Sequence, residues 1–93
     1  MKSEQMKQSA YTAIKEQLDK AFEKGGIPNI KAFKKIMSDL RKRINLLESG
    51  TPFFARSLED VERAELQIAR LNGQLQAYQE RMDWINERMK TCK

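Results

Sequence analysis

Histidine is absent from this chain of 93 residues, and cysteine occurs once, at Cys92. A single cysteine excludes a disulfide within the chain, and without histidine the commonest general base and the commonest zinc ligand are missing. The sequence also lacks a glycine-rich nucleotide loop, a nucleophile elbow and a metal-binding repeat. These absences predict a protein that is not an enzyme and that carries no cofactor and no metal ion.

Long apolar runs are missing as well. None approaches the roughly 20 residues that span a bilayer, and the first residues are polar and charged rather than typical of a secretory signal. We therefore expect no membrane partner and a cytoplasmic location.

Glycine and proline are scarce, with four and two residues, whereas charged residues make up 33% of the chain, a composition typical of helices. The few breakers are clustered, at 25–28 and at 50–52, and Gly50 stands where a helix C-cap is expected. Asn29 and Ser57 are suitable N-caps for the segments that follow. The sequence predicts one all-α domain over 1–93, with helices at about 3–24, 30–49 and 57–91.

The third predicted helix carries an apolar seam at alternating steps of three and four residues. This spacing averages 3.5 residues and is the pattern of left-handed coiled coils. We expect a helical hairpin plus one long helix, forming a coiled-coil-like three-helix bundle. The seam consists of Val61, Ala64, Ile68, Leu71, Leu75, Tyr78, Met82, Ile85 and Met89.

The third helix is predicted to be longer than the other two, at about 50 Å against about 30 Å. A simple bundle then leaves about a third of the seam uncovered near Met82, Trp84, Ile85 and Met89. This part is covered by another protein or by a second copy of the chain; alternatively, the long helix bends or frays after Tyr78 and packs within one compact monomer. In a two-stranded homodimer an antiparallel pairing is favoured, because it places Asp60 opposite Arg88. Gly73 either allows two helices to approach closely at such a crossing or is a tolerated surface residue.

Three aromatic residues are candidate interface anchors. Phe53 and Phe54 lie in the second break, where they either plug the end of the bundle or dock a partner. Trp84, close to the end of the third helix, is the other candidate.

The net charge of +5 belongs entirely to the first 50 residues. Within the second helix a set of cations occupies one side, opposite the apolar positions. Such a face can neutralise phosphates of a nucleic acid or dock onto an acidic protein. Its members are Lys31, Lys34, Lys35, Arg41 and Lys42.

These patterns predict a non-enzymatic protein-binding module, a small adaptor or inhibitor of a larger complex that acts through coiled-coil packing. In size, helical build and basic charge it resembles small accessory proteins in general, including phage- or plasmid-encoded modulators, although no motif carries that resemblance. The alternative is a helical bundle that binds nucleic acid through the basic face of the second helix.

Overall fold

The computed structural model describes residues 2–25 and 30–91, together with their side chains except those of residues 52, 54 and 89–91. The chain is all-α, as predicted. Its three helices are α1 (Lys2–Glu23), α2 (Ile30–Phe54) and α3 (Leu58–Thr91), and the described residues contain no strand.

The end of α1 agrees with the glycine signal in the sequence. Gly25 has a φ of 81°, in the left-handed region that residues with a Cβ avoid. Its amide donates a hydrogen bond to the carbonyl of Phe22 at 3.0 Å, which satisfies one of the last carbonyls of the helix. Residues 26–29, which include the predicted N-cap Asn29, lie outside the described residues.

The predicted end of the second helix is wrong. α2 continues through Gly50 and Thr51 to Phe54, and Gly50 does not adopt a positive φ. The amide of Ala55 still donates to the carbonyl of Thr51 at 2.9 Å, and the Thr51 hydroxyl donates to the carbonyl of Leu47. The proline at position 52 removes one amide donor from the last turn, and these two bonds keep the turn connected to the preceding one.

The start of α3 is capped as predicted. The amide of Asp60 donates to the hydroxyl of Ser57 at 3.3 Å, while the carboxylate of Asp60 accepts a bond from the amide of Arg56 at 3.0 Å. The two side chains thus satisfy amide donors at the first turn, where the acids also oppose the positive end of the helix dipole.

The long helix α3 lies in the middle of the bundle. α1 runs parallel to it, since Tyr11 contacts Glu80 and Phe22 contacts Trp84. α2 runs antiparallel to it, since Phe33 contacts Tyr78 while the later residue Leu47 lines a groove with the earlier Leu71. Both helices pack on α3, but in the described part of the chain no Cα of α1 comes within 8 Å of α2. The molecule measures 54 × 22 × 18 Å, so its length is that of α3.

The core of this bundle is thin. No large side chain is fully buried among the described residues, and the buried residues come from all three helices. They are Ala10, Met37, Leu40, Ile44, Ala69, Ala77, Met82 and Ile85.

Candidate binding surfaces

The coiled-coil seam of α3 is covered by α2 of the same chain. Met37, Leu40 and Ile44 are buried on the apolar side of α2, and the ring of Phe33 lies 5.7 Å from that of Tyr78. Most seam residues are half-buried, neither fully enclosed nor free. The half-buried members are Val61, Ala64, Ile68, Leu71, Leu75 and Tyr78.

The far end of the seam is not left open, in contrast to the prediction. Met82 is 5% exposed and Ile85 is 6% exposed. The prediction left this end of the seam uncovered by the two shorter helices, whereas both side chains are enclosed within the chain. The side chain of Met89 lies outside the described residues.

A second contact face, made of small residues, holds α1. Ala69, Gly73 and Ala77 are buried and spaced by four residues, so they form one stripe along α3. A Cβ on Gly73 would lie 3.1 Å from the amide nitrogen of Tyr11 and even closer to the carbonyl oxygen of Lys7. The close crossing at Gly73 is therefore formed within one chain. Successive residues turn by about 100°, so this stripe faces away from the seam.

Trp84 is engaged within the chain. Its ring stacks edge-to-face on Phe22 at 5.3 Å, and the guanidinium groups of Arg81 and Arg88 lie 5.3 and 4.6 Å from its centroid. Arg81 also pairs with Asp19 of α1, the one ion pair recorded within the described part of the chain. These contacts hold α1 against α3, so Trp84 stabilises the packing of two helices within the chain.

Next to this cluster, Tyr11 donates a hydrogen bond to the carboxylate of Glu80. This bond, followed by desolvation and by the negative charges of Glu80 and Asp19, raises the pKa of the Tyr11 phenol above its ordinary value of 10.0.

Phe53 does not plug the end of the bundle, because it is 86% exposed. Leu46, seven residues earlier, is 72% exposed and lies on nearly the same line of α2, since seven residues make almost two turns. We call Leu46 and Phe53 the outer row of α2. Leu46 was not among the predicted interface anchors, although an apolar residue on the polar side of an amphipathic helix is a detectable signal. The side chain of Phe54 is outside the described residues.

The predicted basic face is exposed throughout. Arg41 donates a hydrogen bond to Gln79 at 3.3 Å, and no ion pair to an acid is recorded for any member of the face within the described residues. The exposed cations are Lys31, Lys34, Lys35, Arg41 and Lys42.

Between α2 and α3 runs an open groove of about 530 Å³, which we call the α2–α3 groove. Leu47 and Leu71 in it are half-buried, and Leu46 stands at its edge. Its charged residues, Arg43 and Arg70, are both cationic. The complete lining is Arg43, Leu46, Leu47, Gln67, Arg70, Leu71 and Gln74.

Among the described residues, no three or more acidic, cysteine or histidine side chains form a cluster that could hold a metal ion. In the same part of the chain, no helix combines the length and the apolar character that crossing a membrane requires.

Comparison of this chain with protein-family models, with curated proteins and with solved structures found no match. Its surfaces are therefore the basis on which a function can be inferred.

Proposed function

We propose that this chain is a non-enzymatic protein-binding module, an adaptor or inhibitor of a larger protein complex, that docks through the outer row of α2. The observation that carries the proposal is the exposure of Leu46 and Phe53, at 72% and 86%, on one line of a helix. Covering each of these side chains in an interface contributes about 1.5–3 kcal/mol, and aromatic side chains are frequent anchors of protein interfaces.

The total surface supports a partner as well. A compact protein of 10.9 kDa exposes about 5,600 Å², whereas this chain exposes 7440 Å². An interface of standard size covers about 800 Å² of each partner, so this chain exposes more surface than one such interface would cover. The seam of α3 supports partner binding indirectly, because α2 packs on it with its apolar side and thereby presents the outer row to solvent.

The test is affinity capture from lysate with the wild-type chain and with the double variant Leu46→Ser, Phe53→Ser. We expect one stoichiometric protein that survives nuclease treatment and disappears with the double variant. Met6→Ser is the matched control, because Met6 is also partly exposed but lies on α1, on the other side of α3.

Light scattering on the purified chain separates the two kinds of partner. A mass that doubles with concentration in the wild type but not in the double variant identifies a second copy. A monomer at all concentrations together with no captured protein would contradict the proposal.

A second candidate is nucleic-acid binding by the basic face, supported by five exposed cations for which no ion pair is recorded among the described residues. Phosphate contacts of this kind give affinity that falls steeply with salt and depends little on sequence. The triple variant Lys34→Glu, Lys35→Glu, Arg41→Glu should abolish binding of a DNA oligonucleotide and leave the helix content intact. Unchanged oligonucleotide affinity in that variant would exclude this candidate.

A further inference from the structure

The α2–α3 groove combines an apolar base with a purely cationic charge. Leu47 of α2 and Leu71 of α3 are half-buried in it, so part of each side chain remains in contact with water. Arg43 and Arg70 are exposed, no ion pair is recorded for either within the described residues, and the lining contains no acid. A ligand that fits must therefore bring apolar side chains and negative charge together.

The dimensions of the groove favour a helix as the ligand. Along α3 the lining runs from Gln67 to Gln74, which is about 10 Å or two helical turns. A helix that lays apolar side chains into such a groove at steps of three and four residues is a common mode of peptide recognition. Its flanking carboxylates can each receive paired hydrogen bonds from a guanidinium.

We infer that the α2–α3 groove binds an amphipathic helix of a partner protein, with leucine-like side chains on Leu47 and Leu71 and with carboxylates on Arg43 and Arg70. This inference rests on the proposed function and names the chemistry of the partner. A nucleic acid fits the same groove poorly, because its charged phosphates make no favourable contact with the leucines. In addition, no aromatic ring lines the groove for a base to stack on.

The test uses two synthetic peptides of about 14 residues, roughly four helical turns. Both have Leu at heptad positions a and d and Ala elsewhere, except that e and g are Glu in one peptide and Lys in the other. We expect the full chain to bind the Glu peptide more tightly by about tenfold or more. Equal affinities for the two peptides would overturn the inference.

Charge reversal locates the site. The variant Arg43→Glu, Arg70→Glu should invert the preference, so that the Lys peptide binds more tightly. The control Lys31→Glu, Lys34→Glu makes the same change of net charge on the basic face and should keep the preference for the Glu peptide. Loss of preference in the control as well would mean that overall charge decides, and the inference would be wrong.

Two further measurements separate this inference from the proposed function. Displacement of the Glu peptide by single-stranded DNA at equal concentration would overturn it. So would a dimer in light scattering that the variant Arg43→Glu, Arg70→Glu converts to a monomer. If the captured protein is lost with Leu46→Ser, Phe53→Ser but retained by Arg43→Glu, Arg70→Glu, the proposed function stands and the groove inference fails. If the peptides behave as expected but no protein is captured, the groove inference stands and the proposed function fails.

Discussion

At the residue scale, Gly73 shows how one missing side chain fixes the distance between two helices. The backbone of α1 at Lys7 and Tyr11 occupies the place that a Cβ on residue 73 would take. Backbone atoms cannot rotate away as the end of a long side chain can, so the helix as a whole has to move. Glycine lowers the intrinsic stability of the helix, but only a residue without a Cβ leaves room for this tertiary contact.

Gly73→Ala should weaken the packing of α1 on α3. Overpacking costs about 1–3 kcal/mol, and the higher helix propensity of alanine returns about 1 kcal/mol. We expect a net loss of up to about 2 kcal/mol in the free energy of unfolding, measured by urea denaturation. Asn86→Ala, at an exposed position of the same helix, should change it by no more than about 0.5 kcal/mol. A stabilised Gly73→Ala variant would contradict the close crossing.

Tyr11 offers a test that depends on pH. Because its pKa is raised, the neutral phenol is favoured in the folded chain. The resulting stabilisation is present below the pKa of the unfolded state, near 10, and is lost as the pH rises through the higher folded pKa. Glu80→Gln removes the carboxylate that accepts the hydrogen bond and should lower the pKa of Tyr11 toward 10.0. The ring signal of Tyr11 in an NMR titration reports it, and an unchanged pKa in the variant would disprove the contact.

At the element scale, α2 is defined by its continuation through Gly50. A glycine that ends a helix adopts the left-handed conformation, whereas Gly50 belongs to the helix and also lines a small open groove together with Leu47 and Ala64. The extra turn carries Phe53 outward and aligns it with Leu46. Without that turn the outer row would not exist.

Gly50→Ala distinguishes a helical conformation of residue 50 from the left-handed conformation of a C-cap. In a helix, alanine is more favourable than glycine by about 1 kcal/mol, so we expect the free energy of unfolding to rise by about 0.5–1 kcal/mol. At a left-handed C-cap the same change would destabilise the chain. Gly25→Ala is the matched control, because Gly25 has a φ of 81° and its substitution should be destabilising.

At the scale of the whole molecule, the bundle is elongated because α1 and α2 pack alongside the long helix α3, whose length sets the longest dimension. The Cα radius of gyration is 15.7 Å, against about 12 Å for a compact domain of this length. Small-angle X-ray scattering at low concentration should give a value close to 16 Å for the monomer. A value near that of a compact domain would show that the helices form a different bundle in solution.

Local signals determined the number of helices, the αL end of α1 at Gly25, the Ser57 cap and the apolar face of α2. Each depends on a few neighbouring residues, so periodicity and capping chemistry were sufficient. The heptad pattern on α3 predicted a packing surface, and α2 lies on it in the structure. The pattern could not identify the covering helix, because the spacing states only that some helix packs there.

Tertiary structure alone decided which helix packs on which face of α3. The stripe of Ala69, Gly73 and Ala77 holds α1, the seam holds α2, and Trp84 is engaged with Phe22. The α2–α3 groove follows from that choice. It depends on side chains brought together from two separate helices, and the spacing of residues within one helix holds no information about it.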